Sequence, residues 1–163
     1  MDLLLIRHAI AEDPHPDLAD ADRAVTRRGR KRFRGVVQGL AELGLRLDLV
    51  LHSPLRRAVQ TAEYLTPILN GRPQETELLA RPPGDELLGL LTKHADRRLA
   101  LVGHEPWMGE LTAWLITGRV NAGENLPFRK GGVAWLEGDP SPGAMVVHAF
   151  LPPSVLRAVA AAR

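Results

Sequence analysis

No cysteine occurs among the 163 residues, which excludes disulfides and thiolate metal ligands. No apolar run approaches the roughly 18 residues that a membrane-spanning helix needs, so no membrane association is expected. The start is unlike a secretory leader, because an acid, Asp2, precedes the apolar stretch and Arg7 and His8 follow it directly. The cytoplasm is the expected compartment. The six histidines include no close pair of the HxH or HxxxH kind, so the ligand spacing of a histidine-and-carboxylate metallohydrolase is missing and no metal or other cofactor is expected. Excess charge is missing too: the net charge is +2, and the sequence pI near 9.5 reflects an arginine-rich set of basic residues. That balance argues against nucleic acid as a partner. Internal repeats and low-complexity tracts are absent.

What is present describes a globular chain. Apolar residues make up 45% and charged residues 25%, and a chain of this length buries roughly 70% of its unfolded surface, enough for one core. A single domain over 1–163 is expected. The densest basic stretch runs from Thr26 to Arg34, and its cationic side chains fan over about 200° of a helix. A solvated helix face is the simpler reading; the alternative is an electrostatic funnel for an anionic substrate or an acidic protein partner.

Strand and helix signals alternate. Residues 2–7 read as the first strand and 9–25, with Pro14, Pro16 and several aspartates, as a long loop over the strand ends. Thr26 is the expected N-cap of a helix reaching Leu43 and stopped by Gly44. A second strand over 47–52 precedes a helix with Pro54 in its first turn, ending near Thr66. A short strand over 74–78, a loop over 80–84, a helix capped by Asp85 and ending near His94, a strand over 99–102 and a helix over 106–117 follow. Residues 132–136 and 145–151, joined by a GDPSPG turn, read as an antiparallel hairpin, and 154–162 as a terminal helix. Such alternation implies an α/β fold with a mainly parallel sheet covered on both faces.

Two apolar strands in this pattern each deliver a histidine at the carboxyl end, LLLIRH with Arg7 and His8, and LVGH with His104. Ligands of open α/β sheets bind in the crevice outside those ends. Between the two lies SPLRRAVQTA, where Ser53 and Pro54 follow the strand over 47–52 and an arginine-rich helix begins. Two histidines and several arginines at neighbouring strand ends suit a phosphoryl group.

RHA with Ala11 and Glu12, DRAVTRRG, SPLRRAVQTA and VGHEP occur in an order that resembles the histidine phosphatase superfamily (phosphoglycerate mutase-like), and within it the SixA-type phosphohistidine phosphatases. The resemblance covers nearly the whole chain. Its one departure is Ala9, where the superfamily usually has glycine. It implies a phosphoglycerate mutase-like, three-layer α/β/α sandwich with an antiparallel C-terminal hairpin. It also implies His8 as nucleophile, with Arg7, Arg57 and His104 clamping the phosphoryl oxygens. Arg57 is the arginine directly before the alanine of SPLRRAVQTA, which leaves Arg56 as its exposed neighbour. Ser53 lends its hydroxyl or amide to the substrate, or caps the helix. Chemically, planar guanidinium forks bind phosphoryl oxygens bidentately, and a neutral imidazole must have its second nitrogen donating to a carbonyl or carboxylate. His52, His94 and His148 read as structural or surface residues, His15 as a residue of the covering loop, Gly103 as a residue that lets the backbone turn at the site, and Glu105 as either an orienting group or a substrate contact.

Many relatives carry a glutamate as general acid in a Leu-x-Glu segment after the third strand. Here the matching position is Ala80, and neither Glu77 nor Asp85 fits the spacing. An alkoxide needs a positioned proton to leave, whereas a protonated phosphoimidazole can leave neutral. The expected activity is therefore removal of phosphate from phosphohistidine of a protein. A broad-specificity phosphomonoesterase or phosphoanhydride hydrolase acting on a small phosphorylated substrate is the alternative, and a noncatalytic phosphate- or nucleic-acid-binding module is the remote one.

Overall fold

The computed structural model describes residues 1–162. Its centre is β1, Asp2–Arg7, whose four consecutive buried residues Leu3 to Ile6 lie in a sheet covered on both faces. Alternate side chains point to opposite sides. Leu4 and Ile6 join one apolar cluster, Leu3 and Leu5 the other, and the neighbouring strands divide in the same way. Ala100 and Val102 of β4 (Arg98–Gly103) and Val50 of β2 (Leu49–His52) go with the first, while Leu99, Leu101, Leu49 and Leu51 go with the second.

The first cluster is closed by α1 (Arg27–Glu42) through Phe33, Val36, Val37 and Leu40, by α2 (Arg56–Glu63) through Ala58 and Ala62, and by α5 (Pro153–Ala161) through Leu156. The second is closed by Leu87 and Leu91 of α3 (Asp85–Thr92) and by Met108, Leu111 and Leu115 of α4 (Trp107–Thr117). Three layers result. Strand order is β3-β2-β4-β1-β5-β6, where β3 is Gln74–Glu75, β5 is Val133–Gly138 and β6 is Met145–Leu151. The first four strands run parallel; β5 and β6 are the antiparallel hairpin. The α/β sandwich expected from the alternation is the fold observed.

Several boundaries differ for local reasons. Thr26 caps α1 as expected, its hydroxyl accepting the Gly29 N–H at 2.9 Å. Pro54 lies outside α2, whose N-cap is Leu55, and the helix stops at Glu63 because a 3-10 turn, Thr66–Ile68, takes over around Pro67. The short strand ends at Glu75: the Thr76 hydroxyl accepts the Leu78 N–H at 3.3 Å, and this local bond diverts the chain into a 3-10 turn, Glu77–Leu79. Asp85 is the first residue inside α3 and Gly84 is its N-cap. None of the described helices is long and apolar enough to cross a membrane.

Candidate active site

Three neighbouring parallel strands end side by side. β1 and β4 pair as far as Arg7 opposite Gly103, and β2 and β4 as far as His52 opposite Val102. His8, His104 and Ser53 follow immediately. The His8 N–H donates to Gly103 O at 3.0 Å and the Ser53 N–H to Val102 O at 3.1 Å. This register sets two buried imidazoles side by side, ring centroids 5.2 Å apart and tilted by 48°.

The His8 ring has a defined tautomer. Nδ1 lies 2.7 Å from the Ala9 carbonyl oxygen, which can only accept, so Nδ1 carries the proton and Nε2 the lone pair. Burial pushes the His8 pKa down to about 3; the Ala9 bond opposes this, and the charges of His104, Arg57 and Arg7 add to it. The ring is neutral. Ala9 is held in turn from below, its N–H donating to Thr61 Oγ1 at 3.0 Å while that hydroxyl donates to Arg57 O at 2.6 Å.

His104 Nε2 is 2.8 Å from Ser53 Oγ, and burial, then Arg57, brings its pKa down to about 4. If the hydroxyl donates to Nε2, the proton of the neutral ring is on Nδ1, which is buried without a partner. Ser53 Oγ also accepts the Leu55 N–H at 3.4 Å, and α2 has no side-chain cap.

Arg7 and Arg57 arrive from a strand end and the first turn of a helix. Arg7 Nη1 donates to Phe128 O at 2.6 Å. Arg57 Nη1 donates to Asp20 O at 2.6 Å, and its Nη2 to Asp20 Oδ2 at 2.9 Å. Arg23 Nη2 holds the other Asp20 oxygen at 2.9 Å. Burial alone would raise the Asp20 pKa, but hydrogen bonds and charge from Arg57, with Arg23 adding to them, hold it below the usual carboxylate range. Asp20 is therefore ionised and has no proton to give at neutral pH. Among the described residues, the buried side-chain nitrogens without a partner are Arg7 Nε, Arg23 Nε, Arg57 Nε and His104 Nδ1. All four belong to this site. Unmet buried donors call for a ligand or solvent partner, and the chemical match for guanidinium and imidazole donors is an oxyanion.

The structure brings together His8, His104, Arg7, Arg57 and Ser53, the residues singled out in the sequence. Asp20 and Arg23 were not singled out, although Arg23 lies inside the DRAVTRRG motif, and the aspartates of the covering loop were the signal for Asp20. Arg56 is exposed, its Nη1 donating to Asp22 O at 3.3 Å. Glu105 proves an orienting group: its carboxylate accepts from the N–H groups of Phe128 and Gly109, tying the loop that holds Arg7 to α4. Glu12 closes the covering loop by accepting from the Ala24 N–H at 2.9 Å. Gly103 does not provide a left-handed turn. A Cβ there would lie 2.7 Å from Met108 Cε, so the glycine leaves room for side-chain packing. His15 is exposed beside Asp17, 3.6 Å away, and His148 pairs with Glu137.

A strand-end His8 with two arginines and a second histidine at adjoining ends is the arrangement of a phosphoryl-transfer site, and residues 3–80 match the histidine phosphatase superfamily (branch 1). The chain belongs to that superfamily, and its fold is of the SixA type. An uncharacterized protein of Picosynechococcus sp. is 38% identical over 142 residues, covering 83% of this chain and 84% of that one. The protein histidine phosphatase SixA, solved with tungstate, superimposes with a TM-score of 0.76 at 26% identity over 96% of this chain and 99% of its own. A phosphoserine phosphatase of Entamoeba histolytica, solved with 3-phosphoglyceric acid, shares the fold with a TM-score of 0.74 at 16% identity over 95% and 98%. The protein is a phosphatase, a hydrolase acting on a phosphorylated substrate.

Proposed function

We propose that the protein is a phosphohistidine phosphatase in which His8 takes the phosphoryl group from a histidine of a protein and passes it to water. The observation that carries the reading is the hydrogen bond from His8 Nδ1 to the Ala9 carbonyl at 2.7 Å. It leaves Nε2 as a lone-pair nucleophile inside a pocket of guanidinium groups, and it determines both halves of the reaction.

In the first half, Nε2 attacks phosphorus while the P–N bond to the substrate imidazole breaks. That imidazole leaves neutral if its other nitrogen already carries a proton. Arg7, Arg57 and the His104 Nδ1–H hold the three equatorial oxygens, where the negative charge is spread. His8, phosphorylated on Nε2 and protonated on Nδ1, is now itself a phosphoimidazolium. In the second half water attacks phosphorus, the Nε2–P bond breaks, and His8 leaves as the neutral imidazole it was at the start. Neither half requires a carboxylic acid. Ala80 follows the 3-10 turn at the position where relatives carry their acid, and the carboxylate held on Arg57, that of Asp20, is ionised. An alkyl ester would lack its proton donor, a deficit usually worth about 10² to 10⁴ in rate. SixA binds tungstate, a tetrahedral oxyanion, and the same donors suit such an ion here.

The test is a substrate panel of phosphohistidine peptide, aryl phosphates, sugar phosphates and pyrophosphate, run with and without rapid quenching. Expected are fast turnover of phosphohistidine and aryl phosphates, slow turnover of sugar phosphates, and a base-stable, acid-labile phosphoryl group trapped on the protein and absent from His8→Ala. Sugar phosphates turned over as fast as aryl phosphates would replace this reading with a broad-specificity phosphomonoesterase. An acid-stable phosphoprotein would overturn the His8 mechanism.

A further inference from the structure

A concavity of about 320 Å³ lies between α1, α5 and the loop leading into β5. His8, His104, Arg7, Arg57 and Ser53 do not line it. Its rim carries Arg32, Arg129, Lys130 and Arg157, with no carboxylate in the lining. None of these four cations makes an ion pair among the described residues. Burial and then the nearby charge of Arg32 lower the Arg157 pKa from its ordinary value. The floor is apolar, formed by Ile10, Phe33, Val36 and Pro153.

The cleft shares a wall with the nucleophile. Ala9 and Ile10, which follow His8, line it, and the Ala9 carbonyl holds the His8 Nδ1 proton. Gly131 forms the facing side, and its N–H donates to Arg7 O at 3.0 Å and to His8 O at 3.1 Å. A molecule seated here touches both backbone segments that position Arg7 and His8.

The shape and charge select the occupant. Small-molecule sites are concave, mostly apolar pockets of about 300–1,000 Å³ with a few placed polar groups, whereas a protein helix about 10–12 Å across needs an open groove. Four rim cations exceed what a monoanion neutralises, and the floor offers the half-buried Ile10 and Pro153, backed by the buried Phe33 and Val36, to a flat apolar body. We propose that this cleft binds a polyphosphorylated small molecule carrying a ring, of the nucleoside di- or triphosphate class, and that its occupancy changes turnover at His8. The binding site stands independently of which phosphorylated substrate the catalytic crevice prefers.

The experiment is calorimetric titration of ADP, pyrophosphate and adenosine into the full chain with the catalytic crevice saturated by vanadate, followed by aryl phosphate kinetics with and without ADP. ADP should bind once per chain, about tenfold or more tighter than pyrophosphate, which lacks the ring, or adenosine, which lacks the charge. Arg32→Glu with Arg157→Glu should cost ADP at least about tenfold while vanadate affinity is unchanged. Lys130→Gln, on the loop side of the rim, should weaken ADP severalfold and keeps the test decisive where the double charge reversal upsets folding. ADP should shift kcat or KM for the aryl phosphate at least twofold in the unmodified protein and not in these variants. Failure of ADP to bind beside vanadate, or equal binding to the rim variants, overturns the site. Binding without any change in turnover overturns the coupling. Vanadate affinity reports separately on the catalytic crevice.

Discussion

Two histidines with similar surroundings differ in one hydrogen bond: the His8 Nδ1–H donates to a carbonyl, and His104 meets a hydroxyl through Nε2. Both are kept neutral, and this has a thermodynamic consequence. Burial lowers the folded-state pKa of His8 to about 3 and that of His104 to about 4, from an ordinary 6.5. Between those values the unfolded chain binds protons that the folded chain does not, so stability is full above the unfolded pKa and declines as pH falls toward 4. The slope reaches up to about 3 kcal/mol per pH unit with both rings counted, and His8→Gln should roughly halve it. Denaturation midpoints measured from pH 7.5 to 4.5 check this; an equal slope in the variant would show that the ring is not held neutral by burial. Arg7, His8, Arg57 and His104 were legible in the sequence because each stands in a short motif at the end of an element. Asp20 was not, because its bond to Arg57 spans 37 residues and depends on how the covering loop folds back.

At the scale of elements, the sequence yields the order and the layers because buried strands are apolar throughout and helices carry a periodic stripe. It fails over 74–80, where the Thr76 hydroxyl competes with the strand ladder and shortens β3 to two residues. It also says nothing of how closely α1 approaches its neighbours. Two glycines determine that. A Cβ at Gly29 would stand 2.0 Å from the Ile10 carbonyl oxygen, and one at Gly39 would stand 2.1 Å from the Leu156 carbonyl oxygen. Alanine improves helix propensity by up to about 1 kcal/mol, but forcing backbone apart costs typically 1–3 kcal/mol or more, so the clash wins. Gly29→Ala and Gly39→Ala should both lower thermal stability. They should separate in activity: displacing Ile10 moves the segment that carries His8 and Ala9, so Gly29→Ala should lower kcat, whereas Gly39→Ala, which presses on α5, should leave it near the unmodified value. Thermal melts with steady-state kinetics well below the transition distinguish the two, and equal kcat in both variants would uncouple α1 from the site.

At the scale of the whole molecule, the two ends of the parallel strands do different work. The carboxyl ends of β1, β2 and β4 gather buried guanidinium and imidazole groups whose Arg7 Nε, Arg23 Nε, Arg57 Nε and His104 Nδ1 have no partner, an arrangement that costs stability until an anion arrives. The amino ends hold a satisfied cluster. Arg98 Nε and Nη2 donate to Asp2 Oδ2 at 2.9 and 2.7 Å, and Trp135 Nε1 donates to Asp2 Oδ1 at 3.2 Å. One carboxylate thereby joins β1, β4 and β5 where the chain enters the sheet. Burial alone would raise its pKa, yet the bonds from Arg98 and Trp135 bring it below the usual carboxylate value, so its contribution is present at neutral pH and is lost on strong acidification. Removing this carboxylate by Asp2→Ala leaves three part-buried N–H donors unpaired, a loss of about 1–3 kcal/mol, which for a chain of this size lowers Tm by roughly 3–10 °C. Because the clamp sits at the amino end of β1 and Arg7 and His8 at its carboxyl end, kcat measured well below the transition should stay within about twofold of the unmodified value. The opposite end should respond in the opposite way: Arg57→Ala should lower kcat by about 10² to 10³, the effect of losing one preorganised charge-stabilising donor. A tenfold fall of kcat in Asp2→Ala at full folding would mean that the amino-end clamp positions Arg7 and His8 through the strand, and the division of labour along β1 would have to be abandoned.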